Sequence, residues 1–82
     1  MNKSIYSREH KYLIIQLKKA RQEAGFDQQK AAKLLGKTQS YISKVESGQR
    51  KVDILQLRDF AKIYKKKLDF FIEWYGETTK IH

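Results

Sequence analysis

The chain has no cysteine and no proline among its 82 residues, and only four glycines. Without cysteine, neither disulfides nor thiolate-metal sites can form, and a reducing compartment is acceptable. Without proline, and with its glycines set apart, the chain offers helices few interruptions. No stretch approaches the roughly 18 apolar residues of a membrane span, and the N-terminus lacks the apolar core of a signal peptide. A soluble, intracellular protein is the expectation. Histidine is nearly missing too: His10 and His82 lie at opposite ends of the sequence and fit no metal-ligand spacing such as H-E-x-x-H. No Ser–His–Asp constellation and no glycine-rich nucleotide loop occurs. The expectation is therefore no enzyme, no metal and no cofactor. Acidic residues are scarce, at 9 against 18 Lys plus Arg, which leaves a net charge of +9. That balance favours a polyanionic partner. The length allows one core of marginal stability, for which oligomerisation is a common remedy.

What is present is a spacing. In QQKAAKLLGKTQSYISKVESG, with Gln28 as position one, Ala32 falls at five, Gly36 at nine, Ile42 at fifteen and Val45 at eighteen. This is the register of a helix-turn-helix. Two short helices crossing steeply need a small residue at their contact, and Ala32 supplies it with Ala31 beside it. The turn needs one residue at positive φ, which Gly36 adopts without a Cβ clash. Leu35, Ile42 and Val45 are the apolar residues that lock the second helix of the pair against the first.

The rest of the chain reads as helical, with five helices and no strand. The first runs from about Arg8 to Ala24, with Leu13, Leu17, Ala20 and Ala24 in one stripe and Gly25 as its stop. Asp27 caps a second helix that ends at Gly36. Thr38 caps a third, over roughly Gln39 to Ser47, and Gly48 stops it. Asp53, with Gln56 three residues on, resembles a capping box for a fourth helix from Ile54 to about Lys65. Its buried face is Leu57, Phe60, Ala61 and Tyr64. A last helix, Leu68 to about Tyr75, closes the domain. The whole chain, 1–82, reads as one domain: an N-terminal arm over 1–7, a core over 8–75 and a flexible tail over 76–82.

The run LKKARQEAGFDQQKAAKLLGKTQSYISKVESGQR, followed by VDILQLRDFAKIY, resembles the Xre family of Cro and phage-repressor-like regulators. The resemblance spans roughly Leu13 to Phe71. It implies an all-α, compact five-helix, lambda-repressor-like domain with the helix-turn-helix at helices two and three. Such a domain binds double-stranded operator DNA, usually as a two-fold dimer, with the third helix in the major groove. It also implies a cytoplasmic, nucleoid-associated protein of prokaryotic or phage origin.

Carried over residue by residue, the resemblance implies the contacts. Gln28 matches a glutamine whose side chain and backbone N–H meet a DNA phosphate, at a helix end that favours anions. Gln39, Ser40 and Lys44 match base-reading positions. Gln can pair bidentately with adenine, and Lys can donate to guanine. Tyr41 is expected at a thymine methyl or at the backbone. Thr38, Ser43, Arg50 and Lys51 are expected to clamp phosphates beside the groove. Arg21 and Glu46 match a mostly buried structural ion pair between helices one and three. Two departures stand out. The family's glycine and small cap between helices four and five are replaced by Lys65, Lys66 and Lys67, so either a lysine accepts the left-handed conformation or the bend is less sharp. Asp27 stands where the family has Thr or Ser, bringing a negative charge near the phosphate site.

In LDFFIEWYGE, a helical wheel puts Leu68, Phe71, Ile72 and Tyr75 on one face and Phe70 with Trp74 nearly opposite. A helix apolar on both sides has both sides covered. The expected cover for Phe70 and Trp74 is a second copy of the chain, with Ile5 and Tyr6 folding back as the alternative. A two-fold dimer sets its recognition helices about 34 Å apart and calls for a palindromic operator. The resulting expectation is a dimeric, sequence-specific regulator that represses or tunes a promoter. The alternative is a protein-interaction module, such as an antitoxin with weak DNA affinity, using Phe70, Trp74 and Tyr75 as its patch. An RNA-binding role is weaker still, because the aromatics do not lie on the basic recognition face.

Overall fold

The computed structural model describes residues 7–72. Each of its four α-helices starts on a side chain that satisfies an otherwise unpaired N–H. Ser7 opens α1 (Arg8–Glu23), accepting from His10 N. Asp27 opens α2 (Gln28–Leu35), accepting from Lys30 N. Thr38 opens α3 (Gln39–Glu46), accepting from Tyr41 N. Asp53 opens α4 (Ile54–Tyr64) with both halves of the capping box formed: Asp53 Oδ1 accepts from Gln56 N at 2.8 Å and Gln56 Oε1 accepts from Asp53 N at 3.1 Å.

The helix ends are equally uniform. Each closes with an amide that reaches back five residues: Phe26 to Arg21, Lys37 to Ala32, Gln49 to Lys44, and Lys66 to Ala61, all between 2.9 and 3.1 Å. This closure needs one residue in the left-handed region. Gly25, Gly36 and Gly48 provide it for the first three helices, and Lys65 for the fourth, at φ 56 and ψ 50. Of the two arrangements open to the lysine run, the left-handed lysine is therefore the one adopted.

The expected fifth helix is corrected. After Lys65 the chain extends through Lys67 and makes a single 3-10 turn, Leu68–Phe70, with no side-chain cap. Phe71 and Ile72 follow as bends, and the rest of the expected helix lies outside the described residues. The α-helical wheel over this segment fails with it. Phe71 is fully buried, but Leu68 and Ile72, assigned to the same face, are substantially exposed.

Packing follows the stripes. α2 packs on α3, α1 lies against α3 and α4, and α4 also meets α2 and the 3-10 turn. One core joins Leu17 and Ala20 of α1 to Ala31 and Ala32 of α2, Ile42 and Val45 of α3, and Leu57, Phe60, Ala61 and Tyr64 of α4. Phe71, which follows the 3-10 turn, completes it. Leu13, Ala24 and Leu35 are partly buried against it. The largest fully buried side chains are Phe60, Phe71, Leu17, Ile42 and Val45, each stabilising the fold by about 1.5–3 kcal/mol relative to exposure. Alanines at 31 and 32, almost without exposed surface, let α2 approach α3 as the spacing requires. Gln16 is a buried polar residue that the stripe reading passed over. Its Nε2 donates to the carbonyl of Phe70 at 2.9 Å and ties α1 to the 3-10 turn. Its position, three after Leu13 and four before Ala20, is the available signal.

Candidate nucleic-acid interface

α3 has two sharply different sides. Tyr41, Ile42 and Val45 are buried, whereas Gln39, Ser40, Ser43 and Lys44 are exposed. The apolar side fixes the helix on the domain, and the polar side is left to face a ligand. Gln39, Ser40 and Lys44 therefore occupy one solvent-facing surface, as the motif implies. Ser43 lies on it as well.

Behind the start of this surface runs a polar chain. Arg21 Nε donates to Glu46 Oε2 at 2.7 Å, and Arg21 Nη2 donates to Glu46 Oε1 at 3.0 Å. This is a two-pronged pair with side chains only 10% and 6% exposed. A third donor, Nη1, reaches the carbonyl of Phe26 at 2.9 Å. The hydrogen bond to Glu46 raises the Arg21 pKa against the opposing effect of burial, so the guanidinium stays charged. The carboxylate then passes the arrangement on. Glu46 Oε1 accepts from Gln28 Nε2 at 3.1 Å, and Gln28 Oε1 accepts from Gln39 Nε2 at a long 3.4 Å.

This chain changes the reading of Gln28. Its side chain, expected at a DNA phosphate, is engaged by Glu46 on one side and Gln39 on the other. In this arrangement it orients the first residue of α3. The ion pair thus ties α1 to α3 and, through Gln28, extends to a long hydrogen bond from Gln39.

Tyr41 needs a firmer correction. It is 8% exposed, and its ring lies nearly parallel to Phe60, at 6.3 Å between centroids and 9° between planes. Burial raises the pKa of its hydroxyl, which has no hydrogen-bond partner among the described residues. A ring so placed belongs to the core and not to the exposed row of α3. The sequence carried the signal: Tyr41 is four residues before Val45 and adjacent to Ile42, on the buried side of the helix.

The expected phosphate contacts are distributed around α3. Thr38 Oγ1 caps the helix, accepting from Tyr41 N at 3.1 Å, and remains exposed. Arg50 and Lys51 are exposed in the segment that leads from α3 to α4. Arg50 lies over the Tyr41 ring at 5.0 Å, and Lys37, which sequence reasoning left out, lies over the same ring at 5.2 Å. No regular sequence spacing marks Lys37, because the ring that holds it belongs to the next helix.

Phe70 is also corrected. Expected at a dimer interface, it is half-buried against the domain's own core, edge-on to Phe71 at 5.2 Å, with Lys66 Nζ over its ring at 4.6 Å. The 3-10 turn, not an α-helix, sets this direction. Trp74, the other expected interface residue, lies outside the described residues, as do Tyr75, Ile5 and Tyr6. The aromatic patch that motivated a protein-interaction module loses Phe70 in the same way. Among the described residues, no group of acidic, histidine or cysteine side chains is arranged to hold a metal, and no helix is long and apolar enough to cross a membrane.

A helix-turn-helix family model matches residues 17–71, from the middle of α1 to the buried Phe71. No curated protein matches the chain. The matched span contains the capped α2 and α3, the glycine turn between them and the exposed polar side of α3, and so the chain belongs to the Xre-like helix-turn-helix family of DNA-binding domains.

Proposed function

We propose that this protein is a sequence-specific regulator of transcription that binds double-stranded DNA with α3 in the major groove and represses by occupying an operator. The observation that carries this reading is the exposed row Gln39, Ser40 and Lys44 on a helix whose opposite side is locked into the core. Base readout requires donors and acceptors held in fixed directions, and the Glu46–Gln28–Gln39 relay supplies such a restraint at the start of the row. No chemical step and no cofactor enters the proposed mechanism. Occupancy follows protein concentration.

Two copies act together in this proposal, meeting at the start of α4. Ile54 and Leu55 are adjacent apolar residues, 59% and 58% exposed. One helical turn on stand Arg58 and Asp59, also half-exposed and paired with each other at a long 3.5 Å. An isologous contact requires a self-complementary surface, and this one offers apolar residues to match and an Arg58 for each Asp59 of the partner. Replacement of Ile54 and Leu55 by lysine is expected to convert a dimer to a monomer in sedimentation. An unchanged sedimentation coefficient would rule this surface out.

Selection from a random pool of duplex DNA at about 150 mM salt, where generic backbone attraction is screened, tests the function itself. Recovery of an inverted repeat with half-sites about one turn apart is the expected result. Gln39→Ala and Lys44→Ala should each cost about 1–3 kcal/mol of discrimination at a base position. Failure to enrich any sequence would overturn the reading.

A further inference from the structure

Two cations from opposite ends of the recognition helix converge on one buried ring. Lys37 precedes α3 and Arg50 follows it, yet both charges lie about equally close to the Tyr41 centroid, at 5.2 and 5.0 Å. The ring is itself held in place, stacked on Phe60 with 9° between planes. Both cations are exposed, and neither forms an ion pair with a carboxylate among the described residues. A ring's π-face attracts a cation without neutralising it. It therefore restrains where the charges sit while leaving their hydrogen-bond donors to solvent. Long basic side chains otherwise lose much of their rotamer freedom when they bind. A phosphate group is the ligand that such a pair fits, since Arg offers a planar fork and Lys a mobile point charge.

We propose that Tyr41 is a positioning residue that holds Lys37 and Arg50 ready to take DNA backbone phosphates on either side of the groove α3 enters. The proposal rests on the DNA-binding reading above, and adds to it one contact residue, Lys37, and a role for a side chain that belongs to the core. The hydroxyl has no part in the device: it is buried without a partner among the described residues, and only the ring is used.

The test is a double-mutant cycle, read by fluorescence anisotropy on the duplex recovered by selection. Lys37→Ala and Arg50→Ala alter exposed side chains, and each should weaken binding about five-fold at 150 mM salt and flatten the salt dependence by about one counterion. Tyr41→Phe keeps the ring and should bind as the unaltered protein does. Tyr41→Leu, with folding checked by thermal unfolding, should weaken binding. In the Lys37→Ala, Arg50→Ala background, Tyr41→Leu should then have no further effect on binding. An equal loss in both backgrounds would show that Tyr41 is only structural and would overturn the proposal. So would unchanged affinity and salt slope in both cation variants, a result that stands even if Tyr41→Leu does not fold. If the unaltered protein enriches no duplex, the regulator reading fails first, which separates the two outcomes.

Discussion

The turn after α2 and the turn after α4 have the same hydrogen bonds and the same handedness, but one is built on glycine and the other on lysine. Gly36 sits at φ 70 and ψ 32, and Lys65 at φ 56 and ψ 50. For a residue with a Cβ, the left-handed region costs about 1–2 kcal/mol. At Gly36 that cost never arises, and the turn follows from local chemistry alone. At Lys65 it must be offset by contacts remote in sequence. Lys66 Nζ reaches Glu23 at 2.7 Å and covers Phe70, Gln16 holds the Phe70 carbonyl, and Phe71 is buried. A turn can be dictated by its own residues, or imposed by what lies beyond it.

The strongest test of the helix-turn-helix half is the ion pair that ties α1 to α3. Glu46→Ala leaves the Arg21 guanidinium buried and uncompensated and should cost about 3–5 kcal/mol in denaturant unfolding. It should also free Gln28 and Gln39 from their relay. A cost below 1 kcal/mol would show that the helix-turn-helix half is held by its apolar core alone. Next in size is Gly36→Ala. An added Cβ would meet nothing within 4 Å, so the expected loss of about 1–2 kcal/mol is conformational. The reciprocal change, Lys65→Gly, removes the strain but increases the backbone freedom of the unfolded chain by about 0.5–1 kcal/mol. A net stabilisation of about 0.5 kcal/mol is expected. Destabilisation would mean that the lysine side chain contributes contacts that the comparison assigns to its neighbours.

The smallest effect concerns pH. The Lys66 ammonium, by hydrogen bond and charge, lowers the pKa of the Glu23 carboxyl from its ordinary 4.5. A depressed folded pKa adds stability that is present above the ordinary value and lost as pH falls through the folded one. The pair is exposed and screened, so the effect should be slight. Lys66→Ala should return the Glu23 titration, followed by NMR, toward 4.5. An unmoved midpoint would detach Lys66 from α1 and weaken the account of the second turn.

Much of the fold was legible in order along the chain. The caps at Asp27, Thr38 and Asp53 and the glycine stops are local devices, in which a side chain or a missing Cβ acts on amides a few residues away. The core stripes of α1 and α4 were legible for a similar reason, because burial repeats with the helical period. The exposed row Gln39, Ser40 and Lys44 was legible as the complement of Ile42 and Val45. Tyr41 was misplaced because its polar tip invited a functional role, although its position is that of a core residue. The fifth helix was misread because a wheel presumes the α-helical period, and a 3-10 turn does not keep it.

The sequence by itself determined where helices start and stop, which sides of them are apolar, and which polar residues remain on α3, because each of these depends on neighbours within a turn or two. The tertiary structure decided that Lys65 would turn left-handed and that Phe70 would pack half-buried against the core. It also decided that Glu46 would reach Gln39 through Gln28, and that Lys37 and Arg50 would share one ring. Those outcomes depend on groups brought together only when separate helices pack, and no local spacing encodes the distance between them.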